Sequence, residues 1–376
     1  MDNTIANNPG WKSEEPVQVT KTYLPPQEEY QQFLNGIWNR AWVTNHGPLV
    51  TQLEEDLSAM LDVPYLKFLN NGTIALQIAI KALDLKGEVI TSPFSYVATT
   101  SSLVWENCTP IFADIEPGTF TLDPQQVEKA ITPRTTAIMA THVFGNPCDV
   151  EGLKQVAEKY NLSIIYDAAH AYGVRYKGES LFRYGHFSTL SCHATKLFHT
   201  IEGGAITTID EELNHKMSYM RNFGHNGQED FYGLGINGKN SEFHAAMGLC
   251  LLPKMKDLIH QRETIFKNYQ KLLEKVAEKV SYQEIRTGTD YNYSYFPVVF
   301  ESEEDLLRVQ KQMNAANIFP RRYFYPCLSS LNYVQDTGRT PVSTGLSKRI
   351  LCLPFHSQLD SDLQENISTL LLKAIQ

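Results

Sequence analysis

The sequence lacks an excess of basic residues and any long hydrophobic run. Its 376 residues include 33 Lys and Arg against 42 Asp and Glu, for a net charge of −9. An acidic chain without a basic block is unsuited to general binding of a nucleic-acid backbone, although a local anion pocket needs only a few N–H groups. No stretch approaches the ~18 apolar residues of a membrane span. We therefore expect neither nucleic acid nor a membrane as partner.

Export features and paired cysteines are also missing. The first residues are polar and lack the basic and apolar regions of a signal peptide. The six cysteines are scattered without a Cys-x-x-Cys pair, and no metal-ligand spacing is visible among Cys and His. We expect reduced thiols, a cytoplasmic location and no metal.

What is present is an ordinary globular composition, with 42% hydrophobic and 20% charged residues. From about residue 67 to 208, short apolar runs alternate with helix-sized segments. The apolar runs are 88–91, 111–114, 137–140, 163–166, 187–190 and 205–208, and the helical segments are 74–83, 97–106, 125–131 and 150–160. This rhythm predicts an α/β fold whose mostly parallel sheet is covered by helices on both faces, with chemistry beyond the carboxyl ends of the strands.

The alternation of strand and helix patterns ends after residue 208, which predicts a second unit. Helical patterns cover 211–221, 241 towards 276, 303–316 and 363–374, a strand pattern covers 293–300, and a Gly/Asn-rich loop covers 224–240. At ~100–200 residues per domain, the length fits two domains. We predict a large α/β domain over 1–252 and a smaller α+β domain over 253–376.

Two residues at strand ends carry the first chemical signal. Asp167 follows the apolar run 163–166, and Lys196 lies five residues beyond the strand that ends at Ser191. Asp167 alone could equally be a helix cap, and a single lysine is usually a solvated charge. Together, however, they match the needs of pyridoxal phosphate, which requires a lysine for covalent attachment and an acid for its pyridine nitrogen.

A phosphate cradle has a candidate upstream. Gly72 and Thr73 lie in a loop that runs into a predicted helix, whose first N–H groups would face an anion. Ser191 would add a hydroxyl, and Tyr96 could stack on a flat ring. An ordinary capped turn and a core aromatic are the alternatives for these positions.

The motifs in their order resemble the DegT/DnrJ/EryC1/StrS family of nucleotide-sugar aminotransferases, which are fold-type I, aspartate-aminotransferase-like enzymes dependent on pyridoxal 5′-phosphate. The resemblance covers about 47–356. It is carried by the segments 71–73, 93–96, 142–145, 167–170, 191–196, 202–204, 235–237 and 245–249 and Arg262, and more weakly by 321–326 and 353–356.

The resemblance implies a role for individual residues. Lys196 would form the Schiff base, Asp167 would pair with the pyridine nitrogen, and His170 would lie near the phenolic oxygen of the cofactor. Tyr96 would stack on the ring, while Gly72, Thr73, Ile74 and Ser191 would hold the phosphate and Asn237 would reach the phosphate of a neighbouring subunit. A homodimer with shared active sites follows. The sequence departs from the family at Cys192, where an aromatic residue is commoner, and we expect a change of packing there.

The resemblance also implies the reaction. The enzyme would move an amino group from L-glutamate to a nucleotide-linked ketosugar, and the segments 24–26, 42–48 and 87–96 resemble a branch acting on dTDP-4-keto-6-deoxyglucose. The product would be dTDP-4-amino-4,6-dideoxyglucose (viosamine), used in surface polysaccharide such as O-antigen. A 3-keto-sugar aminotransferase and an enzyme forming the galacto epimer remain alternatives.

Three other interpretations are weaker. The segment 233–238 matches G-x-G-x-x-G, but no clear strand precedes it, as a dinucleotide site would require. A non-catalytic regulator on the same scaffold would need a DNA-binding segment, for which we find no room. A dehydrating branch carries His where this chain has Lys196.

Overall fold

The computed structural model describes residues 11–334 and 339–375. The helices are α1 (Gln27–Arg40), α2 (Pro48–Met60), α3 (Gly72–Ala82), α4 (Val97–Trp105), α5 (Pro124–Ala130), α6 (Val150–Tyr160), α7 (Glu211–Met220), α8 (Glu242–Leu251), α9 (Met255–Leu272), α10 (Glu303–Ala315), α11 (Pro341–Arg349) and α12 (Ser361–Ile375). Within these ranges, no helix is long and apolar enough to cross a bilayer.

Seven of the strands form one central sheet. They are β2 (Tyr65–Leu69), β3 (Gly87–Thr91), β4 (Cys108–Phe112), β5 (Thr135–Thr141), β6 (Ser163–Asp167), β9 (Phe187–Ser191) and β10 (Gly204–Thr208), in the order β2-β10-β9-β6-β5-β3-β4. Only β10 runs against the other six strands of this sheet. The predicted mostly parallel sheet is therefore confirmed.

Short strands make up the smaller sheets. They are β1 (Val17–Gln18), β7 (Arg175–Tyr176), β8 (Glu179–Ser180), β11 (His225–Asn226), β12 (Asp230–Phe231), β13 (Val280–Ser281), β14 (Thr289–Asp290), β15 (Pro297–Phe300), β16 (Ile318–Phe319) and β17 (Ile350–Cys352). Three of them, β13, β15 and β17, form the antiparallel sheet of the C-terminal layer.

Both faces of the central sheet are buried, as the unbroken apolar runs predict. Successive strand residues pack on opposite sides: Ile138 and Ile164 join one core, whereas Met139 and Ile165 join the other. The first core includes residues of α2, α6 and α8, and the second includes residues of α3 and α7. Because buried strands of this kind need helices on each face, the fold matches the predicted α/β architecture.

A separate core forms the C-terminal layer, which packs β13, β15 and β17 with α10 and α12. Met255 and Leu258 of α9 belong to the large core, whereas Ile265 and Tyr269 belong to this smaller one. The N-terminal strand β1 pairs in parallel with β16. The assignment of every residue before 253 to the large unit therefore differs from the structure at β1, and the boundary at 252/253 stays a prediction.

The strand predicted over 293–300 is shorter in the structure. β15 begins only at Pro297, because the preceding segment bonds to the large unit instead of to a sheet neighbour. Asn292 Nδ2 and Ser294 Oγ both donate to the carbonyl oxygen of His170, at 2.9 and 2.6 Å. Arg262 donates to the carbonyls of Tyr293 and Ser294 at 2.9 and 2.7 Å.

All six cysteines are unpaired and buried. Cys192 lies in the large core with no exposed surface, and burial raises the pKa of its thiol. An ideal Cβ on Gly203 would lie 3.3 Å from the Cys192 Cβ. The small side chain thus packs against the turn that leads into β10, and a change of packing relative to the family stays a prediction.

Candidate active site

A cavity of about 280 Å³ opens at the carboxyl edge of the central sheet. Its walls include the ends of β5, β6 and β9, the start of α3 and the loops before α4 and β10. The lining residues include Gly72, Thr73, Tyr96, Asp167, His170, Ser191 and Lys196, all predicted as site residues, and also Asn71, Ser95, Thr141, Glu202, Tyr295, Arg321, Tyr323 and Phe324. We call the first seven residues the sheet wall.

Lys196 lies in the connection between β9 and β10. The chain turns back here, because the N–H of Lys196 donates to the carbonyl of His193 at 2.8 Å and β10 returns antiparallel to β9. Burial lowers the pKa of the Lys196 amine to about 8, against the opposing effect of Asp167. An amine with such a pKa has a sizeable nucleophilic fraction near neutral pH.

Asp167 ends β6 and is almost fully buried. Thr99 Oγ1 donates to its Oδ2 at 2.7 Å, and the N–H of Ala169 donates to its Oδ1 at 3.1 Å. Burial raises the pKa of Asp167, whereas these two hydrogen bonds and the nearby Lys196 lower it. The carboxylate is thus held in one orientation at the cavity, as a partner for a cationic ring nitrogen requires.

His170 is buried between aromatic rings on the loop after β6. Its ring is parallel to those of Phe144 and Phe324, with centroids 6.0 and 5.9 Å away. The N–H of Phe144 donates to Nδ1 at 3.2 Å, so the proton of the neutral ring lies on Nε2. Burial keeps the pKa of His170 well below its usual value. The neutral ring can therefore donate one hydrogen bond from Nε2.

The start of α3 forms an anion cradle. Asn71 caps the helix by accepting the N–H of Ile74 at 2.8 Å, which leaves the N–H groups of Gly72 and Thr73 without an intrahelical partner. A Cβ on Gly72 would lie 3.1 Å from Ser191 Cβ, and a Cβ on Gly204 would lie 2.4 Å from the Asn71 carbonyl carbon. Small residues at both positions therefore bring the helix end, Ser191 and β10 together around one space.

Three predicted residues need separate comment. Tyr96 is 52% exposed, lines the cavity and immediately precedes α4. Ile74 is not among the lining residues, and its N–H is already engaged by Asn71. Asn237 is exposed and does not line the cavity of its own chain. Phosphate contacts by Ile74 and by a neighbour's Asn237 stay predictions.

The sequence interpretation missed most of the opposite wall. Tyr295, Arg321, Tyr323 and Phe324, which we call the C-terminal wall, come from segments more than 90 residues beyond Lys196. The Arg321 guanidinium lies over the Tyr323 ring, 4.8 Å from its centroid. No carboxylate of residues 11–334 or 339–375 pairs with it. The only sequence signal was the weak family likeness over 321–326.

The residues present fit pyridoxal phosphate. A free amine, an oriented carboxylate and a helix-start cradle line one cavity, and the Gly72 cradle is a space that a side chain would fill. By contrast, the G-x-G-x-x-G segment 233–238 follows the short strand β12, which the sequence did not indicate. Because β12 belongs to a two-stranded sheet, the segment does not lie between a strand of the central sheet and its helix. In the described part of the chain, no three Cys, His, Asp or Glu side chains form a potential metal site.

Comparisons with known proteins extend this picture. A sequence profile of the DegT/DnrJ/EryC1/StrS aminotransferase family matches residues 26–371. A dTDP-4-amino-4,6-dideoxy-D-glucose transaminase of Shigella dysenteriae is 41% identical over 368 residues, which cover 94% of this chain and 98% of that protein.

Solved structures share the fold. DesI, determined in the presence of its TDP-sugar product, superposes with a TM-score of 0.92 at 30% identity, covering 97% of this chain and 95% of that one. NtdA of Bacillus subtilis, with bound PMP, gives a TM-score of 0.86 at 27% identity, covering 93% of this chain and 82% of that one.

The predicted family, fold type, enzyme class and cofactor are confirmed by these matches. Because the family profile spans nearly the whole chain and the cavity fits the cofactor, the protein belongs to the DegT/DnrJ/EryC1/StrS aminotransferase family and is a pyridoxal phosphate-dependent aminotransferase.

Proposed function

We propose that the enzyme transfers the amino group of L-glutamate to C4 of dTDP-4-keto-6-deoxy-D-glucose and forms dTDP-4-amino-4,6-dideoxy-D-glucose for surface polysaccharide synthesis. The single observation that carries this proposal is the cavity in which Lys196 and Asp167 face one space beside an anion cradle. The transaminase of Shigella dysenteriae, similar along almost the full length, supports the choice of substrate.

The sheet wall provides the residues that would hold the cofactor. Lys196 would attach it covalently, Asp167 would hold a proton at its ring nitrogen, and Ser191 and the first turn of α3 would bind its phosphate. When bound, pyridoxal phosphate supplies an electron sink for the charge that develops at the reacting carbon.

Lys196 also has a role once it is released from the cofactor. Its amine can remove a proton from the donor's α-carbon and return a proton to the carbon being aminated, which is general acid–base catalysis by one group. The lowered pKa suits this role, because both protonation states are populated near pH 8. His170 would donate from Nε2 to an oxygen at the cofactor edge.

The C-terminal wall supports an anionic substrate. Both proposed substrates carry negative charge, as a carboxylate in glutamate and as a diphosphate in the sugar nucleotide. Arg321 lines the cavity without a carboxylate partner in the described chain, and an arginine can bind either anion through two parallel hydrogen bonds. We assign Arg321 as the anion-binding residue of this wall.

A homodimer with shared sites is part of the proposal. The loop between α7 and α8 exposes five large apolar side chains, with Leu234 74% exposed, and exposed apolar surface of this amount on one loop favours an interaction site. These side chains are Phe223, Phe231, Tyr232, Leu234 and Ile236. The base of the loop is fixed beside the cradle, because the N–H of Asn70 donates to the Gly238 carbonyl at 3.0 Å. We also place the enzyme in the cytoplasm, which its unpaired cysteines support.

Subunit mixing tests the shared site. Lys196→Ala and Asn237→Ala homodimers should each have little activity. A mixed dimer contains one site with a native lysine and the partner's native asparagine, so mixing should restore activity. Absence of any gain, with subunit exchange demonstrated by differently tagged chains, would exclude a catalytic role for Asn237 across the interface.

The product test settles the substrate. The enzyme is incubated with glutamate and dTDP-4-keto-6-deoxyglucose, and the sugar is analysed by proton NMR. An equatorial amine at C4 gives large H4 couplings, whereas small couplings would indicate the galacto epimer. Conversion of only a 3-keto isomer would refute the 4-keto assignment. It would not affect the assignment of the protein as an aminotransferase.

A further inference from the structure

Three hydroxyl groups form a line of hydrogen bonds that ends at Asp167. Thr141 Oγ1 lies 3.0 Å from Ser95 Oγ, Ser95 Oγ lies 2.7 Å from Thr99 Oγ1, and Thr99 Oγ1 lies 2.7 Å from Asp167 Oδ2. They come from the end of β5, the loop after β3 and the first turn of α4. All three side chains are buried. The fold therefore brings three separate segments together into one line of hydrogen bonds.

The number of available protons determines which group donates in each hydrogen bond of this line. Each hydroxyl has one proton, and an ionised Asp167 can only accept. Thr99 must then donate to Asp167, Ser95 must donate to Thr99, and Thr141 must donate to Ser95. With these donors, each of the three hydroxyl protons has an acceptor: Asp167, Thr99 or Ser95. In the reverse direction the carboxyl group of Asp167 would have to be protonated.

We propose that Thr99, backed by Ser95 and Thr141, is a positioning residue that keeps Asp167 ionised and aimed at the ring nitrogen of the bound cofactor. The inference rests on the proposed role of Asp167, and it does not depend on which ketosugar is the substrate. Thr99 does not line the cavity, so it acts through Asp167 and not by contact with the substrate.

The physical need for such a chain follows from burial. A carboxylate without hydrogen bonds is costly in a protein interior, and donors to the charged form offset that cost. Successive hydroxyl donors also polarise one another, which strengthens the last bond of the line. The other titratable groups that line the cavity are Lys196 on the β9–β10 connection, His170 on the loop after β6, and Tyr96, His193, Glu202, Tyr295, Arg321 and Tyr323. Of these, Lys196 lowers the pKa of Asp167.

Thr99→Val is the direct test, because it removes the donor and keeps the shape of the side chain. Without this donor Asp167 becomes a stronger base and takes the proton from the ring nitrogen. We expect the glutamate half-reaction of the holoenzyme to slow by ~10- to 100-fold, the range for a hydrogen bond to a charged group. In enzyme loaded with ¹⁵N-labelled pyridoxal phosphate, the ring-nitrogen resonance should move towards the unprotonated position.

Matched variants separate positioning from packing. Thr99→Ser keeps the hydroxyl and should restore both the rate and the ¹⁵N shift. Thr100→Val is the control, because Thr100 is its neighbour, is equally buried and has a hydroxyl without a partner among the described residues. This control should leave the rate and the shift unchanged. A Thr99→Val holoenzyme that folds with wild-type rate and ¹⁵N shift would overturn the inference.

Asp167→Asn distinguishes failure of the inference from failure of the proposed role. If Asp167 holds the ring nitrogen, Asp167→Asn moves the ¹⁵N shift, and adding Thr99→Val to it causes no further change. Independent, additive effects of the two substitutions would refute the action of Thr99 through Asp167. An unchanged shift in Asp167→Asn would instead refute the role of Asp167 itself.

Discussion

The two walls of the cavity differ in how they are built. Residues of the sheet wall lie at or beyond the ends of strands. All of them fall within 125 positions of the sequence, from Gly72 to Lys196. The C-terminal wall belongs to segments that lie more than 90 residues beyond Lys196 and reach the cavity through the packing of the C-terminal part of the chain. In the proposed function, the sheet wall would hold the cofactor and perform the chemistry, whereas the C-terminal wall would select the substrate.

Removing the Lys196 amine from the sheet wall should give the largest loss of activity. Lys196→Ala loses both covalent attachment of the cofactor and the proton carrier, and the latter alone contributes ~10²–10⁴-fold. We expect no detectable turnover and no cofactor on any lysine-containing peptide after borohydride reduction. Lys81→Ala is the control, because Lys81 pairs with Glu106 outside the cavity. A reduced label on a different lysine of the wild type would contradict the assignment.

Removing the cation of the C-terminal wall should weaken binding more than chemistry. For Arg321→Gln we expect KM for the anionic substrates to rise ~10- to 100-fold, as for a lost charged hydrogen bond, with a smaller change in kcat. Arg322→Gln is the control: this neighbour pairs with Glu303 at 2.6 Å and does not line the cavity. An equal rise in KM for both variants would break the proposed division between the walls.

The pH dependence of cofactor attachment sharpens the comparison further. Lys196 attacks as the free base, and its pKa is about 8, so the rate of covalent uptake by the apoenzyme should rise ~10-fold per pH unit below that value and level off above it. Arg321 contributes to the lowered pKa. Stopped-flow absorbance should therefore place the midpoint at higher pH in Arg321→Gln, and an unchanged midpoint would count against electrostatic contact between the walls.

The smallest expected effect on activity comes from the joint between the two units. Asp114, after β4, accepts the N–H groups of Val342 and Ser343 at 2.8 and 2.9 Å at the start of α11. Asp114→Asn should lower the free energy of unfolding by ~1–3 kcal/mol, because a buried charged acceptor is lost. Denaturant titration measures this, with the exposed Asp84→Asn as control. A midpoint as high as that of the control would show that α11 does not need this cap.

The sheet wall could be predicted from sequence because its signals are local. Each strand of a parallel sheet ends at the same edge, so a run such as 163–166 places Asp167 there without knowledge of the remaining chain. No comparable rule positions Tyr295 or Arg321, whose approach depends on packing between two cores. The antiparallel course of β10 was also invisible, since a buried strand has the same apolar pattern in either direction.

The early strand β2 and the hydroxyl line behind Asp167 were missed for different reasons. β2 reads Tyr65-Leu66-Lys67-Phe68-Leu69, in which a central lysine interrupts the apolar run. Ser95, Thr99 and Thr141 are residues that a sequence offers in many places, and only side-chain distances distinguish this set. Asn237 is proposed to contact the phosphate site of another subunit, so its role depends on the dimer and not on the fold of one chain.

The reversal of the chain at β10 has a consequence for the speed of the reaction. Lys196 lies on a connection whose two ends are fixed in adjacent strands, and the N–H of Cys192 closes it by donating to the Gly203 carbonyl at 2.8 Å. The conformational entropy of this amine is therefore lost when the protein folds and not when the amine reacts. In the proposed role of Lys196, a connection fixed at both ends would give its amine a high effective concentration beside a bound cofactor, so that covalent attachment would resemble an intramolecular reaction.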